Sequence, residues 1–512
     1  MTRAALAICL AVTGITAQAL PAGAQTAGPM SAIDWLSHSL DTPAPGANAG
    51  PVSGGIRTEV ISVRPLGSPS PDGVGLLPRS VTGLPANLWG ESDLNTLIRM
   101  ISEFPISPLP AVQDQFRRLM LAELDPPRQS TGRAPLLQAR IDALLARGAV
   151  EEAEALLERA GTDEPQLFRR AFDVGLLTGR EQAACARMRA VPGISPSFPV
   201  RIFCLARTDD WNAAAVTLES AKALGQLTPE EDAMLAQFLD PELAEVLPPV
   251  VPPARPSPLM FRMMEAIGES LPTSPLPVAF AHSDLRPIVG WKARVEAAER
   301  LARVGAIPAE VLVAIYGERR PAASGGVWDR VAAVQTLGAA LSDGDATQVD
   351  QALPAAWNNM RAAGLAVPFA RAFGPQLAGL GLSGRAAALA PRIGLLSDSY
   401  ETVAIALEGS DTLPFAAAVA RGIPPVSADT DLESAIAAGF ATPLPVLTRE
   451  YAEMIGGNRQ GEALLTALRT LAAGRDGDPD DITAALVLLR KLGFEDAARS
   501  ASLQMLLLEP AR

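Results

Sequence analysis

At 512 residues the chain is too long for one compact core, so two or three units are expected. Apolar residues make up 48% but aromatics only 4%, and the apolar share is largely Ala, Leu and Val, which favours closely packed helices. A net charge of −13 excludes a general nucleic-acid binder, which needs a basic face.

Arg3, the apolar run Ala4–Leu20 and the small-residue site Ala22-Gly23-Ala24 read as a secretory signal over residues 1–24. The run is short and Ala-rich for a membrane span, and no second stretch of about twenty apolar residues follows. Cys9 lies inside the run, which argues against a lipid-anchored cysteine. The mature chain is therefore expected in a bacterial periplasm, exported and soluble, with no membrane span. Lys222, Lys292 and Lys491 are the only lysines, a coding bias without functional weight.

Residues 25–91 are rich in Pro, Gly and Ser and bury too little to offset their ordering entropy, so a flexible segment is expected. Two islands break it. Ser31–Leu40 suits a short amphipathic helix, and Ile56–Leu66 suits an extended strand. Ile33, Trp35 and Leu36 would dock on a partner or strap back onto their own domain.

A first helical domain is expected over 92–247. Ser92 or Asp93 can cap a helix striped by Leu94, Leu97, Ile98 and Ile101. Ala111–Leu124 follows, with Val112, Phe116, Leu119 and Met120 on one face. Pro135 then opens a helix that Gly148 ends, and Val150–Ala160 returns beside it. This joint, Leu144-Leu145-Ala146-Arg147-Gly148-Ala149-Val150, echoes at Leu176–Ala183, Leu205–Ala213 and Leu488–Ala498. Repeated helical hairpins of this size predict an all-α fold, an α-solenoid. Over about Ser92–Leu247 the pattern resembles tetratricopeptide-like hairpins, although its spacing of about 31 residues is shorter than the usual 34.

Cys185 and Cys204 flank the Pro- and Gly-rich turn Val191–Phe198, each five residues beyond its end of the adjoining segments. Antiparallel helices would bring both sulfurs level, and an oxidising compartment would join them. Such a loop would add about 3 kcal/mol in the chain-entropy account.

Residues 248–258 hold six prolines, which cannot continue a helix and predict a stiff linker. A second helical domain is expected over 259–512. Met260, Met263 and Met264 near its start suit core filling rather than a metal site.

The chemistry-bearing patterns are thin. Gly379-Leu380-Gly381-Leu382-Ser383-Gly384 matches G-x-G-x-x-G, but the preceding Pro368–Leu377 looks helical, so a turn is expected in place of a dinucleotide site. His282-Ser283-Asp284 has triad residue types, yet neighbours in a loop point apart, and a surface loop is the expectation. Asp476–Asp481 alternates carboxylates as calcium loops do, without the later bidentate acid, and suits a helix start instead. Glu91-Ser92 and Glu269-Ser270 resemble the Glu-Ser pair of lytic transglycosylases, whose Gly-Leu-Met-Gln-type segment this chain lacks. No catalytic, cofactor-binding or metal-ligating residue is assigned, and no cofactor is expected. The expected function is a non-enzymatic scaffold or adaptor binding a protein or cell-envelope component; the alternative is an envelope enzyme, glycan-acting, with paired carboxylates.

Overall fold

The computed structural model describes residues 70–508, apart from 131–132, 195–196, 247, 424 and 426. The segment 1–24 and the docking residues Ile33, Trp35 and Leu36 lie outside the described residues. The described residues form 25 α-helices, with no strand among them beyond an isolated parallel bridge between Leu77 and Ala122. The fold is all-helical. None of these helices is long and apolar enough to cross a membrane.

The joint that recurs in sequence recurs as one backbone geometry. The amide of Ala149 reaches back to the Leu144 carbonyl (3.0 Å), Arg180 to Gly175 (2.7 Å), Asp210 to Leu205 (3.0 Å) and Phe494 to Leu489 (2.8 Å). Each is the six-residue closing bond of a helix that ends on a left-handed residue. Gly148, Gly179 and Gly493 take that conformation at three joints; Asp209 takes it at the other, with φ 62°. Asp is among the few side chains that enter this region readily, because its carboxylate can bond locally. The partner helices Val150–Ala160, Gln182–Ala190, Trp211–Ala223 and Glu495–Leu507 start within a few residues.

Two apolar cores result. The larger takes side chains from Leu84 to Leu507. The smaller is built around Phe172, Phe203 and Phe238, with Met263 and Met264 as filler. Helix Pro165–Thr178 serves both: Leu167, Val174 and Leu177 face the larger core, and Phe168, Phe172 and Leu176 the smaller. Residues 248–258 connect Pro229–Leu239 to Pro258–Ala266; those two helices pack together and both line the smaller core.

The helical path closes on itself. Helix Pro110–Leu121, hereafter the inner helix, packs against Pro135–Ala146, Gln460–Leu471 and Glu495–Leu507. None of its residues is exposed. Val112, Phe116, Leu119 and Met120 are buried as their spacing predicts, but Gln113 and Gln115, which flank that stripe on its two sides, are buried too. Gln113 accepts from Arg147 and donates to the Pro105 carbonyl, while helix Glu495–Leu507 returns over the other flank, where Gln504 meets the Ala111 amide.

The seam of this closure involves residues 70–91, which composition placed in the flexible segment. Asp72 accepts from the Leu137 amide (2.8 Å) and the Ser130 hydroxyl (2.7 Å), capping helix Pro135–Ala146 from a distance. Arg140, fully buried, donates to the carbonyls of Met120, Asp72, Val74 and Ala122. Leu84, Leu88 and Trp89 are buried as well. A few apolar residues concentrated in a Pro- and Gly-rich stretch suffice to order it, which average composition does not register. Across the seam, Gly461 lets the backbone approach the Trp89 indole: a Cβ there would stand 2.5 Å from the ring. Its amide donates to Leu88 (2.9 Å), and the Glu91 amide donates to Asn458 (3.0 Å).

Candidate functional site

Beside the inner helix lies a cavity of about 240 Å³. Asp114, Gln115 and Arg118 of the inner helix form one wall, and Arg371 of helix Ala366–Leu377 another. The junction Leu395–Tyr400 supplies Ser397, Asp398 and Tyr400; helix Glu495–Leu507 supplies Asp496, Ser500 and Gln504. The site therefore exists only because the first and last parts of the chain meet.

Its charges are held against one another. Asp114 sits between two guanidiniums, Arg117 at 2.8 Å and Arg371, whose Nη2 it contacts with its other oxygen. Arg371 Nε reaches Asp398 at 3.2 Å. Burial works against the Arg371 charge, and the two carboxylates outweigh it. Arg117 also donates to the Gly305 carbonyl, which ties the inner helix to the loop after Trp291–Arg303. Tyr400 donates to Asp496 at 2.5 Å. Burial first, then that carboxylate, pushes the Tyr400 hydroxyl well above its ordinary range, so it stays a donor.

Two amides complete the lining. Gln504, 4% exposed, accepts from the Ala111 amide (2.9 Å) through its side-chain oxygen. Gln115, 6% exposed, has an Nε2 with no partner. Arg118 donates to the Val81 carbonyl through Nη2 and leaves Nε unpaired. The uncommitted buried groups of the wall are thus N–H donors, beside carboxylates already engaged.

The sequence-predicted positions lie elsewhere. Cys185 and Cys204 stand at disulfide distance in the smaller core, with Cα atoms 5.1 Å apart and both side chains buried. His282-Ser283-Asp284 is not a surface loop: it forms the short helix Ala281–Asp284, wedged between the larger core and helix Pro165–Thr178. The three side chains do point apart. His282 Nε2 meets the Gly148 carbonyl at 2.7 Å, Ser283 donates to Leu177 at 3.0 Å, and Asp284 accepts from Thr273. Burial lowers the His282 pKa. Gly379–Gly384 is a turn between Ala366–Leu377 and Gly384–Leu395, its Ser383 bonded to Asp350. Asp478 caps helix Pro479–Lys491, with Asp480 and Asp481 in its first turn. Glu91 pairs with Arg128 at 2.6 Å.

The cavity residues were missed because each reads, in its own segment, as an ordinary polar residue on a helix face. Asp114, Arg117 and Arg118, at helical spacing on the face opposite Phe116, were the available signal. Among the described residues no group of three or more His, Cys, Asp or Glu is placed to hold a metal ion. No protein-family model, curated protein or solved structure matches the chain.

Proposed function

We propose that the chain is an exported, periplasmic helical-repeat scaffold, loosely tetratricopeptide-like, that binds a protein or cell-envelope component without chemical turnover. The observation that carries this reading is the clamping of Asp114 between Arg117 and Arg371. A carboxylate held by two guanidiniums is a strut; a proton-transferring acid needs a partner that leaves it free to change charge. The four shared joints support a solenoid origin in two halves around 248–258. The buried cysteine pair fits an oxidising compartment. Trp211, Val216 and Leu224, exposed on or beside helix Trp211–Ala223, are apolar groups of the kind that anchor partners.

Site-specific photocrosslinking of the mature protein in the periplasm tests it. A defined protein or envelope polymer should crosslink at Trp211 or Val216, while purified protein releases nothing from isolated cell-wall glycan. Glycan cleavage abolished by Asp496→Asn would replace the scaffold with an enzyme.

A further inference from the structure

We propose that the cavity between the inner helix and the last helix binds one small, uncharged, hydroxyl-rich molecule, a monosaccharide or similar polyol. The proposal does not depend on the scaffold reading.

Size comes first. At about 240 Å³ the space is smaller than the roughly 300–1,000 Å³ of pockets for drug-sized ligands, so the occupant is no larger than one sugar ring.

Hydrogen bonding decides the class. Gln115 and Gln504 are both more than nine-tenths buried and line the cavity; the Gln115 amide nitrogen has no partner, and the Gln504 oxygen is taken by the Ala111 amide. A buried donor left unpaired costs about 1–3 kcal/mol, so Gln115 Nε2 and Arg118 Nε, both on the inner helix, call for acceptors. Asp496, with one oxygen taken by Tyr400, and the Ser500 hydroxyl offer acceptors across the space. A carboxylate ligand would answer the donors but meet the charges of Asp496 and Asp398. An ammonium would suit those carboxylates and leave the Gln115 amide unmet. A hydroxyl accepts and donates at once, and several on a compact ring match a wall that changes from donor to acceptor over a few ångströms.

Such a ligand would join helices from opposite ends of the chain, so its binding also holds the closure shut. Anything that binds the closed form alone raises its stability.

Calorimetry and thermal unfolding of the full mature chain, with D-glucose, D-galactose, N-acetyl-D-glucosamine and D-ribose as probes, decide the matter. At least one should bind in a one-to-one ratio and raise the unfolding temperature. Gln115→Leu should weaken that binding by roughly tenfold, the worth of one well-made hydrogen bond, and Ser500→Ala should weaken it less. Gln115→Leu removes an unpaired donor, so the variant should fold at least as well as the parent. Val311→Ala, exposed on helix Ala309–Gly317 and outside the cavity lining, should leave binding unchanged. The proposal falls if none of the four sugars binds, if Gln115→Leu binds them as the parent does, or if glycine or acetate binds in their place.

Discussion

Asp114 and Arg371 stand 257 positions apart in sequence and share one ion pair beside the cavity. Their side chains are about a quarter exposed, so solvent screens part of the attraction. Asp114→Asn would leave Arg371 with only the exposed Asp398 (3.2 Å) and Arg117 with only Glu152 (3.9 Å) as counter-charge. The expected loss is about 1–2 kcal/mol, read from the urea midpoint. A double-mutant cycle with Arg371→Met should show a coupling of about 1 kcal/mol. Strictly additive losses would mean the pair contributes nothing to closure.

A different pair lies deep in the larger core. Arg170 donates to both oxygens of Asp142 at 2.6 and 2.7 Å, and both side chains are almost fully buried. Asp142→Ala strands a buried guanidinium and should destabilise by about 3–5 kcal/mol. Replacing both, as Asp142→Leu with Arg170→Met, should recover most of that loss. If the double variant is worse than either single one, desolvation is not the governing cost here.

On the export proposed above, Cys185 and Cys204, 19 positions apart, should be found joined in the purified protein. Cys204→Ser should then cost about 2–4 kcal/mol, felt mainly in the smaller core. Two thiols open to alkylation under non-reducing conditions, detected by mass spectrometry, would contradict the oxidised state.

Burial depresses the His282 pKa, with the Gly148 carbonyl acting against it. The unfolded histidine takes up a proton near pH 6.5, where the folded one stays neutral. Its contribution is therefore fully present above about pH 6.5 and declines as pH falls below that value. Stability of the parent should drop between about pH 7.5 and about pH 5 more steeply than that of His282→Gln. Identical slopes in the two proteins would show that the imidazole titrates alike folded and unfolded.

What the sequence made legible follows from where the information sits. A helix end is a local event, so Gly148, Gly179 and Gly493 announce their joints; Asp209, which lacks the glycine, is marked by the leucine-bearing helix before it and Trp211 and Ala213 after it. The cysteine pair is legible for the same reason, being set symmetrically about one turn. The seam is not. Nothing near Gln504 indicates that its side chain receives the amide of Ala111, and nothing near Trp89 names Gly461 as its neighbour. Those contacts depend on the cumulative rotation of all the intervening helices, which no window of residues contains. The cavity inherits that obscurity, because its walls come from four separate stretches.

Closure also fixes how the chain can change length. An open stack of hairpins tolerates duplication or loss of a unit, since each unit touches only its neighbours. Here one more hairpin between the inner helix and Glu495–Leu507 would carry the last helix past the Ala111 amide that Gln504 must meet. Insertions are therefore confined to loops facing away from the inner helix, such as the turn around Gly193, where an added Cβ meets nothing. The number of helices in the circuit is set by its circumference, in the way that the number of staves is set by the barrel.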